Sequence, residues 1–177
     1  MLKNRKEAME TKDILFILKR VLLCLLMLTV QYVFSDKLRF FGVAPNILFA
    51  FVIAIAFIND FSFNIYAAVI LGAALDALSG RIFGIYTLTF VGLNFVVLEF
   101  YHSAFSENFI VETIYGFIAM LVYSLLFAFF TSFFKGNFFE MLTKTAIIEC
   151  IYNFIIFEIF LIIQKKLRKQ KKNMFLN

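Results

Sequence analysis

The chain has 177 residues, of which 63% are hydrophobic and only 16% charged, and it carries a net charge of +5. Ordinary soluble domains are about half apolar and about a quarter charged, and a single core of this size cannot hide so much apolar surface from water. A soluble globular domain is therefore excluded, and the class is an all-α integral membrane protein.

One proline, no tryptophan and no Pro/Ser-rich linker leave a single compact membrane domain between two charged ends. The 27 phenylalanines accompany an abundance of Ile, Lys and Asn, as an AT-biased genome gives. They read as lipid-facing residues rather than an aromatic box. Cys24 and Cys150 both fall in apolar runs and read as small buried hydrophobes, neither a disulfide nor a metal pair. The segment before Cys24 is no lipoprotein cleavage site, because Leu23 is not small, and the many later apolar runs argue against a removed signal peptide.

A membrane-crossing helix needs about 20 apolar residues, and six spans are predicted. A basic segment, 1–13, precedes the first span at 14–34, where Lys19 and Arg20 can snorkel to headgroups. The second, 45–58, starts at Pro45 as a first-turn proline, and its shortness calls for thin or protein-covered bilayer. The third runs over 61–78, the fourth over 82–101, the fifth over 109–134 and the sixth over 141–163. A basic tail, 164–177, closes the chain.

Twelve of the 17 basic residues lie at the two ends. The positive-inside rule puts both ends in the cytoplasm and requires an even number of spans. Pairing the second and third spans as one re-entrant hairpin also keeps the total even. The tail reads first as a topology anchor, with an anionic-lipid or nucleic-acid patch as the alternative.

The segment from Gly72 to Gly84 holds three glycines around a carboxylate, Asp76. Ala68, Gly72, Asp76 and Gly80 recur every four residues and share a face while the helix persists. Small residues at this spacing let a neighbouring backbone approach, so the face is a helix-packing seam. With both ends inside, Asp76 lies near the outer end of the third span. An ionised Asp costs about 2.5–3.5 kcal/mol at the bilayer centre and less near the interface. The Ser79 hydroxyl, the Ser79 and Gly80 amides and the Arg81 guanidinium are its nearest candidate partners. Gly80 suits a sharp turn, and Gly84 opens the next helix. Asp76 is open to three readings: a structural lock on this turn, a proton or cation site, or a contact for another protein. Pro45 and Asn46 fall on the same outer side, so two clusters distant in sequence are expected to converge there.

Glu149 and Asn153 share a face of the last span, and Glu149 is expected to face the bundle. Asn94 and Gln31 read as interhelical hydrogen-bonding residues. Asp60, Glu99, Glu107, Glu112 and Glu158 are assigned to the cytoplasmic half, near the basic ends or interfacial water. His102, the single histidine, has no second ligand at metal spacing, and no Ser-His-Asp, phosphate-loop or dinucleotide pattern occurs. No enzyme, cofactor or metal is indicated.

Pro45-Asn46-Ile47, followed by Gly72, Asp76, Ser79, Gly80 and Gly84, resembles the rod shape-determining protein MreD family. That family has Pro-Asp/Asn-Leu opening a span, then Gly-x-x-x-Asp-x-x-Ser-Gly-x-x-x-Gly. Asn46 stands where an acid is common and Ile47 where Leu is common. The length, the basic ends and the closing Lys165–Lys169 run agree as well. The resemblance implies a non-enzymatic scaffold of the cell-elongation machinery in the bacterial cytoplasmic membrane. Its implied partners are MreC and, less directly, MreB, RodA and a class B penicillin-binding protein, with membrane lipid around it and no nucleic acid. The implied fold is a six-helix bundle similar to the substrate-binding subunits of energy-coupling-factor transporters.

That likeness supplies the alternative function, a vitamin-binding transporter subunit. Such subunits typically carry an Ala-x-x-x-Ala seam on the first helix, and the segment Val21–Tyr32 contains no alanine. An ion-coupled transporter using Asp76 or Glu149 is a third reading, for which inverted repeats are not seen. On the scaffold reading, the Ala68/Gly72/Gly80 seam packs the third helix, Asp76 locks the outer turn, and the outer cluster or a groove beside it receives a partner's membrane helix.

Overall fold

A computed structural model describes residues 2–39, 42–58, 61–80, 84–104, 108–135, 139 and 145–174. Its helices are α1 (Leu2–Phe34), α2 (Ile47–Ala56), α3 (Phe61–Ser79), α4 (Ile85–Ala104), α5 (Phe109–Lys135) and α6 (Ile147–Met174), with no strand among the described residues. Four helices carry apolar segments long enough to cross a bilayer: Ile17–Phe34, Phe61–Ser79, Phe109–Ser132 and Ile147–Leu167. Two apolar segments are shorter, Ile47–Ala56 and Ile85–Tyr101. Helices α1 and α6, at 33 and 28 residues, run to about 50 and 42 Å, well beyond the ~30 Å of a hydrocarbon core.

Helix α2 is the centre of the molecule. All ten of its residues are buried, and it touches each of the other five helices. A helix that is apolar all round is suited equally to a core and to lipid. Lipid tails are as apolar as these side chains, so the hydrophobic effect does not drive α2 inward. Close packing and its hydrogen-bonded N-terminus favour that place. Phe49 stacks on Tyr123 of α5 at 4.2 Å between ring centroids and lies 5.3 Å from Phe90 of α4. Toward the other end, Phe57 meets Tyr101 edge-on at 5.0 Å, and Phe51 meets Phe160 at 5.7 Å.

The structure starts α2 at Ile47, two residues later than expected, so Pro45 is not a first-turn residue. Asn46 is the N-cap: its side chain accepts the Phe49 amide at 3.0 Å, and its carbonyl accepts the Ala50 amide at 3.2 Å. The cap ends the helix at that point and leaves Pro45 in the lead-in segment.

Contacts between helix ends fix the layout. Arg20 lies over the Phe63 ring at the start of α3, and Tyr101 near the end of α4 meets Glu112 at the start of α5. Lys165 of α6 reaches the same Glu112. The start of α1 and the end of α6 therefore lie at one end of the bundle, opposite the N-terminus of α2.

Candidate functional site

At that opposite end the buried N-terminus of α2 needs acceptors for amides that water cannot reach. Gln31 of α1 supplies one through Oε1, which accepts the Ile47 amide at 2.7 Å and the Leu48 amide at 3.2 Å. Its Nε2 donates to the Pro45 carbonyl at 3.2 Å. Asn153 of α6 accepts the Asn46 amide at 2.8 Å, and Asn46 Nδ2 donates to the Tyr123 hydroxyl at 2.6 Å. Neutral side chains from α1, α5 and α6 thus converge on the end of one short helix. Gln31, Asn46, Tyr123 and Asn153 are all buried.

A second capping arrangement joins α3 to α4. Asp76, 2% exposed, accepts the Tyr86 amide at 2.9 Å, the Thr87 amide at 3.0 Å and the Thr87 hydroxyl at 2.6 Å. These amides are the second and third of α4. The N-cap position is held by Gly84, whose carbonyl accepts the Leu88 amide at 2.9 Å and whose φ is +103°. A glycine has no side chain to cap with, so the carboxylate of α3 caps α4 in its place. A negative group at a helix N-terminus is also favoured by the helix dipole. Of the expected local partners, Ser79 donates its Oγ to the Asp76 backbone carbonyl at 3.2 Å. Arg81 lies outside the described residues.

The seam below this cap is tight at one residue. A Cβ on Gly72 would stand 2.7 Å from the Thr87 Cα and 3.1 Å from its nitrogen. Only glycine lets the α4 backbone come so near. Ala68, one turn earlier, is fully buried. Gly80 does not extend the stripe, because α3 ends at Ser79 and Gly80 turns the chain with φ +60°.

Between the two caps lies a cavity of about 700 Å³. Gln31, Asn46, Ser79, Tyr86, Tyr123 and Glu149 contribute to its wall, together with Tyr32, Leu75 and Leu78. Pro45 also lines it. Residues of both sequence clusters therefore meet at one space, with the buried Glu149 of α6 beside them. Tyr32 and Leu78 are 73% and 57% exposed, so the cavity wall at α1 and α3 is continuous with the outer flank of the bundle.

Asn94 lies apart from this cavity. Its Nδ2 donates to the Asn64 carbonyl of α3 at 3.0 Å, a link between α3 and α4 nearer the other end. There Glu112, 1% exposed, accepts the Tyr101 hydroxyl at 2.8 Å and pairs with Lys165. Glu99 is exposed, while Asp60, Glu107 and the His102 side chain lie outside the described residues. Sequence reasoning missed Tyr123, Asn64 and Gly116. A Cβ on Gly116 of α5 would stand 2.2 Å from the Phe157 ring of α6, a contact no local motif announces. Among the described residues no three His, Cys, Asp or Glu side chains gather as a metal site.

Searches of the curated proteins and of the solved structures found no significant match. The family model described as rod shape-determining protein MreD matches residues 11–171. With the match running over nearly all of its length, the chain belongs to the MreD family of rod shape-determining membrane proteins.

Proposed function

We propose that this protein is a non-enzymatic scaffold of the cell-elongation machinery, and that the cavity end of the bundle receives a membrane-adjacent segment of MreC. On a topology of six spans with both termini in the cytoplasm, the one the positive-inside rule favours, the cavity lies on the extracytoplasmic side. The architecture is then similar to that of energy-coupling-factor substrate-binding subunits. MreB, RodA and a class B penicillin-binding protein are engaged through MreC and neighbouring surfaces.

One observation carries this reading. The cavity is walled by residues from both family motifs and runs out to the flank of α1 and α3 through exposed Tyr32 and Leu78. A segment leaving a partner's membrane helix can enter along that flank without crossing the bundle.

A cavity of about 700 Å³ also falls within the range of small-molecule sites, which favours the vitamin-transport reading. Against it, the Gln31 and Asn46 amides that face the cavity are already engaged in capping α2. Depletion separates the two. Rounded cells with diffuse wall synthesis support the scaffold, and rod-shaped cells that have lost vitamin uptake overturn it.

A further inference from the structure

The sixth helix does not stop where its membrane segment ends. Its apolar segment closes at Leu167, yet α6 continues to Met174. Lys165 holds it at that level, paired with buried Glu112 and 5.1 Å from the centre of the Phe109 ring. Beyond this clamp come Lys166, Arg168, Lys169, Lys171 and Lys172, and no acid follows Glu158. The start of α1 emerges at the same end but is mixed in charge, with Glu7, Glu10 and Asp13 among its basic residues. Helices α1 and α6 share no backbone contact among the described residues. Lys166 and Lys169 are exposed.

We propose that the basic continuation of α6 gathers anionic phospholipid headgroups. At 1.5 Å per residue, the nine steps from Lys165 to Met174 rise about 14 Å, while a headgroup layer is about 5–8 Å deep. The first turn after the clamp therefore lies among lipid phosphates. The remainder lies within about one Debye length of them at physiological salt. A cluster of four to eight Lys/Arg in this position attracts anionic lipid. The clamp matters because it fixes where along α6 the charges meet the headgroups. The inference stands on the place of α6 in the membrane and is independent of any partner at the cavity.

The test uses the full chain in nanodiscs of equal phosphatidylcholine and phosphatidylglycerol. Lipids retained after detergent extraction are counted by mass spectrometry. Phosphatidylglycerol is expected to be enriched about threefold or more around the native chain, and the enrichment should shrink in 0.5 M salt. Replacing Lys166, Lys169, Lys171 and Lys172 with Gln should bring the ratio to parity, whereas replacing them with Arg should keep it. Replacing Lys3, Arg5 and Lys6 with Gln should leave it unchanged. Parity for the native chain overturns the proposal, as would occur were the tail reserved for an acidic protein. Enrichment that survives the Gln variant, or that depends on the N-terminal residues instead, overturns it too.

Discussion

Thr87 gives both its amide and its hydroxyl to one oxygen of Asp76, at 3.0 and 2.6 Å, across the gap between two helices. The acid that first stands out as a charge in an apolar segment is thus the N-terminal cap of the next helix. Replacing Asp76 with Ala would strand three donors, two of them backbone amides. The expected loss is about 2–4 kcal/mol, with Asn, which keeps one acceptor, costing about 1–2. Unfolding in detergent micelles measures both. Equal and negligible losses would show that these donors find other partners.

Gly72 and Gly92 make opposite cases of the same substitution. A methyl on Gly72 meets backbone at 2.7 Å, which cannot swing aside, so Gly72→Ala should destabilise by about 1–3 kcal/mol. Gly72→Leu should separate α3 from α4 and, on the proposed scaffold role, abolish co-purification with MreC. Gly92 has open space around it, so Gly92→Ala should stabilise its helix by about 0.5–1 kcal/mol. Thermal midpoints of the two Ala variants, moving in opposite directions, check the seam.

Gln31→Leu should be costly although it adds apolar bulk to an apolar segment. It removes the acceptor of the Ile47 and Leu48 amides, for a loss of about 2–4 kcal/mol. Combined with Asn46→Ala it should be less than additive, since both act on one helix end. Additive losses in a double-mutant cycle would separate the two into independent sites.

At the opposite end, Lys165→Ala leaves Glu112 buried with the Tyr101 hydroxyl beside it. Lys165 is 30% exposed, so solvent screening reduces the effect to about 1–2 kcal/mol. Pairing it with Glu112→Gln should recover much of that loss. An undiminished loss in the double variant would mean that the clamp acts through packing rather than charge.

Much of this was legible from residue order because it depends on local spacing. Length and apolarity announce membrane helices, and the four-residue recurrence from Ala68 to Asp76 marks the α3 seam. The partner of Asp76 was not legible. Gly84 offers no side chain, and nothing local says that a residue eight positions upstream acts for it. Asn46 and Asn153 stand 107 residues apart, so only packing could reveal their bond. The shortness of the second span called for thin or protein-covered bilayer, and its central place follows only from contacts with five others.

Photocrosslinking in growing cells tests most directly whether the cavity flank is the dock proposed for MreC. A photoreactive residue at Leu78 or Tyr32 should yield an MreC adduct, while one at Ile114 on the opposite half of α5 should not. Rod-shaped cells supported by the Leu78 and Tyr32 variants, yet without an MreC adduct from either, would contradict docking of MreC at this flank.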